Sequence, residues 1–255
     1  MYERIEALAR DCGEILRNAD RSGINVDEKQ GHANFVTEYD VMVQNRIQKG
    51  LMEILPEAGF FGEEGKQKGF PDEEYVFIVD PIDGTTNFLK GFNLSAIAIS
   101  LVHNMERIFG LVYNPFTDEM FTAQKDKGAY LNGKRIRVSD EPLERGVVLF
   151  GTAPYYEGLP KLAFDKAFSF MDKCIDVRRM GSAELDLCYV ACGRAELYFE
   201  PFIQPWDYAA GSLIVEEAGG KVSQWDGTPF ELTRGCSCAA RGTGVDDTLL
   251  RILTE

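Results

Sequence analysis

The sequence predicts a mixed α/β protein whose two subdomains meet at a cleft, and three observations predict it. Its 255 residues suffice for one large domain or two modest ones. The middle of the chain is a run of short β-branched and aromatic segments broken by turn residues, the pattern of antiparallel strands. Beyond Pro142 helical patterns alternate with strand patterns, the texture of α/β layering.

Each element has its own warrant. Ile5, Leu8, Cys12, Ile15, Leu16 and Ala19 recur at three and four residues, so the first twenty residues read as an amphipathic helix. A second helix is expected over 40–55, with Val43, Ile47, Leu51 and Ile54 on one face and Pro56 ending it. Residues 75–79 suit a buried strand that ends at Asp80. Segments 94–102, 107–113 and 119–122 have strand character and are broken by Asn104, Asn114-Pro115 and Asp118. Asn132-Gly133, flanked by apolar residues, predicts a hairpin. Further on, 147–150 and 195–199 read as strands. Segments 159–173, 182–192 and 208–218 read as helices, the last two stopped by Gly193 and by Gly219-Gly220. The expected division is 1–142 and 143–255, working as one functional unit, with no repeat or low-complexity linker.

Charge excludes several classes. Against 27 Lys+Arg stand 41 Asp+Glu, a net charge of -14, so no cation excess exists to displace the counterions of a nucleic-acid polymer or to bind an anionic membrane. With 45% hydrophobic and 27% charged residues the chain can bury a core. Glu3, Arg4 and Glu6 interrupt what would be the apolar stretch of a secretory signal. No window holds the roughly 18 apolar residues that span a bilayer. None of the six cysteines forms Cys-x-x-Cys; Cys188 and Cys192 read as small hydrophobes, and Cys236-Ser237-Cys238 has no further zinc ligands nearby. A reducing cytoplasm is the expected compartment. His32 and His103 have no partner motif.

The most informative stretch is Asp80-Pro81-Ile82-Asp83-Gly84-Thr85-Thr86-Asn87-Phe88. A strand delivers Asp80, Asp83 follows three residues later, and Gly84 permits a tight turn into the hydroxyls and amides of Thr85 and Thr86. Oxygen donors of this kind suit a hard divalent cation, and free amides at a helix start suit a phosphate. An isolated Asp-x-x-Asp is more often a strand-end turn with a capping acid.

That nine-residue run resembles the metal-binding motif of the inositol monophosphatase family. Three further elements resemble the family in the same order: Val36-Thr37-Glu38-Tyr39-Asp40, Gly62-Glu63-Glu64 and Pro205-Trp206-Asp207-Tyr208-Ala209-Ala210-Gly211. The resemblance spans roughly residues 5–244 and implies a layered αβαβα sandwich of the inositol monophosphatase / fructose-1,6-bisphosphatase type. It implies Glu63, Asp80, Asp83, Asp207 and the Ile82 carbonyl as ligands of Mg2+, with roughly two or three ions per site. It makes Asp40 and Thr85 the pair that orients and deprotonates water. Gly84, Thr85 and Thr86 become the phosphate cradle, and Glu200, Gly181, Ser182 and Ala183 the substrate contacts. Spacing alone does not choose between Glu63 and Glu64; the family's use of the first does.

The physics is compatible with that assignment. Two carboxylates about 4 Å apart repel by roughly 4 kcal/mol at an effective dielectric near 20, so a converging set calls for protons or cations. The expected activity is hydrolysis of inositol monophosphate or a related polyol or sugar phosphate, with lithium sensitivity and a homodimer implied by the resemblance. Adenosine 3',5'-bisphosphate, fructose 1,6-bisphosphate and histidinol phosphate are alternative substrates, and a non-catalytic cation-binding scaffold is the alternative of another class. Gly65 departs from the small hydroxyl residue common in relatives, residues 65–74 read as a short mobile loop beside the site, and Arg178 lies close behind the substrate segment. The remaining acids read as a solubilising coat.

Overall fold

The computed structural model describes residues 1–21, 24, 26–28, 35–65 and 69–255. His32 and residues 66–68 of the expected loop lie outside the described residues. The periodic N-terminus forms α1 (Tyr2–Arg17), which buries Ile5, Leu8, Cys12 and Leu16. Strands β1 (Val26–Glu28) and β2 (Phe35–Thr37) pair antiparallel and lead into α2 (Glu38–Ile54). The Thr37 hydroxyl accepts from the Asp40 amide while the Asp40 carboxylate accepts from the Thr37 amide. This reciprocal cap satisfies donors that a helix start leaves open, and it holds the Asp40 side chain at the head of the helix.

A seven-stranded sheet follows chain order: β3 (Gly59–Gly62), β4 (Tyr75–Asp83), β5 (Ala96–His103), β6 (Glu106–Asn114), β7 (Glu119–Gln124), β8 (Gly128–Leu131) and β9 (Lys134–Arg135). The short helix α3 (Thr85–Lys90) sits between β4 and β5. β3 and β4 run parallel; the later neighbours pair antiparallel. Asn132-Gly133 closes the β8–β9 hairpin with both residues at positive φ (48° and 75°), the geometry that favours these two residue types.

The rest of the chain supplies the five strands of a second sheet and four helices, in the order β10 (Val147–Phe150), α4 (Leu159–Phe170), β11 (Asp176–Arg178), α5 (Ala183–Ala191), β12 (Leu197–Ile203), α6 (Ala209–Glu217), β13 (Lys221–Ser223), β14 (Cys236–Arg241) and α7 (Arg251–Thr254). Its strand order is β11-β10-β12-β14-β13. β10 pairs parallel with β11 and β12, and β14 antiparallel with β12 and β13.

Alternating side chains set the layers. On β4, Phe77 and Val79 pack with α1 and α2, while Val76 and Ile78 face the layer of α5 and α6. The other side of that layer meets Tyr198, Cys238 and Ala240 of the second sheet. Beyond it, Val148, Phe150, Leu197 and Phe199 pack under α4 and α7. The fold is therefore a layered α/β sandwich, helices and sheets alternating through five layers. α5 and α6 lie inside it, so both are buried nearly all round, and α5 buries Glu184 and Asp186 among its apolar residues.

Three expectations are adjusted. β4 does not end at Asp80 but continues through Pro81 to Asp83, because a bulge absorbs the proline. The helix expected over 159–173 stops at Phe170. The strand expected over 195–199 begins at Leu197 and runs on to Ile203.

Candidate active site

The bulge in β4 builds the first half of the site. Asp80 pairs with Ala98 and Asp83 with Ala96, so three steps on β4 match two on β5. In a regular strand residues three apart point to opposite faces; one extra residue returns Asp83 to the side of Asp80. The Ile82 amide donates to Asp80 Oδ1 at 2.9 Å, tightening the bend. Gly84 then takes φ +85°, and a Cβ there would lie 2.9 Å from the Leu94 carbonyl oxygen and 3.1 Å from that of Gly181. Glycine is required on both counts.

Thr85 opens α3, and its hydroxyl reaches both Asp40 Oδ1 (3.3 Å) and the Ile82 carbonyl oxygen (3.2 Å). Asp40 is wholly buried, and its other oxygen accepts from the Thr37 amide at 2.7 Å and from the Thr37 hydroxyl. Asp40 thus stands behind Thr85 instead of lining the cleft. Glu63 extends the β3–β4 ladder through its amide to the Val79 carbonyl at 3.0 Å. Next to it, Gln44 clamps the Glu64 backbone from both sides, donating to its carbonyl at 2.7 Å and accepting from its amide at 2.8 Å. Glu63 lines the cleft and Glu64 does not, a choice that spacing alone left open.

The second sheet and the inner helices supply the rest. Asp83 Oδ2 accepts from the Ser182 hydroxyl (2.6 Å) and the Glu184 amide (2.8 Å), and Oδ1 from the Ala183 amide (3.2 Å), so it caps the start of α5. Asn87 adds bonds to the carbonyls of Leu94 (2.8 Å) and Met180 (2.9 Å), pinning α3 to the same segment. Asp207, on the turn before α6, accepts from the Gln204 amide at 2.7 Å. Glu200, on β12, accepts from the Ala153 amide at 2.8 Å and the Tyr198 hydroxyl at 2.6 Å.

These groups surround a cleft of about 560 Å³. Every expected site residue except Asp40 lines it: Glu63, Asp80, Ile82, Asp83, Gly84, Thr85, Thr86, Gly181, Ser182, Ala183, Glu200 and Asp207. Arg178 does not; it is exposed and pairs with Asp176 at 2.5 Å, and Arg179 lines the cleft instead. Sequence reasoning also passed over Asp186, a cleft-lining carboxylate 1% exposed with one oxygen that has no hydrogen-bond partner among the described residues. The α5 pattern alone marks it only as an acid within an apolar helix.

Burial and mutual repulsion govern the protonation of the acids. Asp80 is held well above the usual carboxylate range by burial first and then by Glu63, Asp83, Asp207 and Asp40. Asp207 is raised by burial and by Glu63. Burial pushes Asp83 up to about 6 against the three donors that favour its ionised form. A buried, oxygen-only donor set of one charge sign fits a hard divalent cation. Among the described residues no three acidic, histidine or cysteine side chains close on one point. Asp83 is turned onto the start of α5 and Asp207 onto the Gln204 amide.

The sandwich and its cleft define a layered α/β protein with a carboxylate-lined site. The sequence model of the Inositol monophosphatase family matches residues 1–254, and the chain belongs to that family. It is 39% identical to an inositol-1-monophosphatase of Rhizobium meliloti over 236 residues, 92% of this chain and 86% of that one. It is likewise 39% identical to the Nus factor SuhB of Vibrio cholerae over 238 residues, 93% of this chain and 88% of the other. Among solved structures, the extragenic suppressor protein suhB of Bartonella henselae aligns with TM-score 0.92 and 33% identity, covering 100% of this chain and 98% of that one. Family membership supports phosphatase activity. Among the described residues no helix is long and apolar enough to cross a membrane.

Proposed function

We propose that the protein is a magnesium-dependent phosphomonoesterase that hydrolyses inositol monophosphate or a related polyol or sugar phosphate with an activated water. The observation that carries this reading is the approach of Glu63, Asp80, Asp83 and Asp207 to one cleft that also holds the Thr85 hydroxyl. In the proposal those four carboxylates and the Ile82 carbonyl hold Mg2+. Bound there, magnesium supplies charge neutralisation and Lewis-acid activation of water and phosphoryl oxygen.

The chain's own residues do the remaining work. Thr85 Oγ1 takes the proton of the attacking water while passing its own toward Asp40 Oδ1, which it already faces at 3.3 Å. Asp40 is kept aligned for this by its two bonds from Thr37. The amides of Gly84, Thr85 and Thr86 cradle the phosphate at the start of α3. On the far side, Glu200 and the segment Gly181, Ser182 and Ala183 face the alcohol half of the substrate.

The name of the Vibrio relative, Nus factor SuhB, favours a second reading in which the fold serves a non-catalytic role. One experiment separates the two: a phosphate-release panel over inositol, sugar, nucleotide and histidinol phosphates, with magnesium and with chelator. Magnesium-dependent release from a polyol phosphate upholds the phosphatase. Silence across the panel with magnesium present favours the non-catalytic role.

A further inference from the structure

The cleft is walled by four aromatic side chains, and three of them are already engaged. Tyr156 and Phe202 pack edge to face at 4.6 Å between ring centroids, and the Tyr156 hydroxyl accepts from the Gln204 amide side chain at 3.1 Å. Trp206 leans on Phe61 at 5.5 Å. Tyr155 differs: it lines the cleft, is 42% exposed, and among the described residues has neither a ring neighbour nor a hydrogen-bond partner. A large aromatic left half in water beside a polar cleft is an apolar surface awaiting a partner.

Its position is not that of a loose surface residue. The loop before it is wedged onto β12 at Glu200, which accepts the Ala153 amide at 2.8 Å. Gly151 lies so close that a Cβ there would sit 2.0 Å from Glu200 Oε2. Ala153 itself takes φ +42°, a left-handed conformation that costs a non-glycine residue and persists only where neighbours hold it. Just beyond, the Tyr156–Gln204 bond fastens the other end of the loop. Tyr155 is therefore presented to the cleft from a backbone fixed on both sides.

We infer that Tyr155 is a specificity-determining residue whose ring packs against the alcohol half of the substrate and favours cyclic over open-chain phosphate esters. The inference rests on the phosphatase reading and deepens it. A cyclitol or pyranose presents a face of C–H groups between its hydroxyls, and an aromatic ring covers such a face without competing for the hydroxyls that Glu200 can bond. An open-chain ester has no such face. Glu200 acts here also as a positioning residue, since the bond it accepts from Ala153 holds the Tyr155 loop.

The test compares wild type with Tyr155→Ala and Tyr155→Phe on myo-inositol 1-phosphate and glycerol 2-phosphate, both with saturating magnesium. The expected result for Tyr155→Ala is a fall of roughly tenfold in the ratio of kcat/KM for the cyclic over the open-chain ester, carried mainly by KM. Tyr155→Phe keeps the ratio within about twofold, because the ring is retained. Tyr155→Leu, which keeps apolar bulk but lacks a flat face, stands in should the alanine variant not fold, and is expected to lower the ratio likewise. A ratio unchanged in Tyr155→Ala or, in its place, Tyr155→Leu, or one lost equally in Tyr155→Phe, overturns the role of the ring while leaving the phosphatase intact. Failure of the wild type to release phosphate from either ester overturns both readings.

Discussion

Asp83→Asn tests the electrostatics of the cleft through stability. In the chelator-treated protein, burial raises the Asp83 carboxyl from 3.8 to about 6. At low pH the group is protonated in folded and unfolded chains alike. As pH rises past 3.8 the unfolded chain releases its proton while the folded one retains it, so Asp83's stabilising contribution is lost until pH passes about 6. The shift is worth about 3 kcal/mol over the whole window, of which about 2 kcal/mol falls between about pH 4.5 and about pH 7. Asp80, Asp186, Glu184 and Asp207 are raised in the same direction, chiefly by burial, and steepen the trend. Urea unfolding across this range, with and without the substitution, reads the effect as a difference between wild type and variant. The wild type is expected to lose about 2 kcal/mol more than Asp83→Asn on going from the acid end to the neutral end. Added magnesium should restore much of the wild type's neutral-pH stability. A wild type that gains stability relative to the variant as pH rises would refute the reasoning.

Three further perturbations probe separate parts of the account. Thr85→Ala is expected to lower kcat by roughly a hundredfold, because it removes the hydroxyl that joins water to Asp40, while steady-state stability changes by less than about 1 kcal/mol; comparable loss in kcat and in unfolding free energy would mean that the hydroxyl is only structural. Asp186→Leu should stabilise the chelator-treated protein by roughly 1–3 kcal/mol, since it removes a buried carboxylate oxygen that has no partner among the described residues. Because burial raises that group, the gain should be larger near pH 8 than near pH 5, which denaturation at the two values checks. Gly84→Ala is expected to cost about 2–4 kcal/mol in thermal or urea unfolding, combining a left-handed backbone with a Cβ pressed on two carbonyl oxygens.

Much of the architecture could be read from local pattern. α1, β10 and the β8–β9 hairpin are elements whose signals lie within one short window: a 3.6-residue period, a β-branched run, an Asn-Gly pair. β14 escaped because Cys236–Arg241 contains no β-branched or aromatic residue; it is a strand because β12 and β13 pair with its two edges and the inner helices bury it. The extension of β4 escaped for a related reason. Pro81 reads locally as a stop, and only the partner strand shows that a bulge accommodates it.

The site divides along the same line. Residues 80–88 are contiguous, so their carboxylates, glycine and hydroxyls could be read together. Glu63 against Glu64 could not be decided by spacing, since the choice is made by the Gln44 clamp on α2, twenty residues away. The capping of α5 by Asp83 joins residues about a hundred positions apart, and Asp186 and Tyr155 reach the cleft only once the two sheets have stacked. Glu200 is legible as an acid near the end of a strand, while its bonds to Ala153 and Tyr198 belong to tertiary structure.

The central claim is that the carboxylates lining the cleft hold magnesium for phosphate-ester hydrolysis. It is tested most directly by phosphate release from myo-inositol 1-phosphate by wild type and Asp80→Asn, each with saturating magnesium and with chelator. The account predicts release by the wild type only with magnesium, and loss of most activity in a variant whose circular dichroism is unchanged. Release that persists in chelator, or undiminished turnover of Asp80→Asn under saturating magnesium, would contradict it.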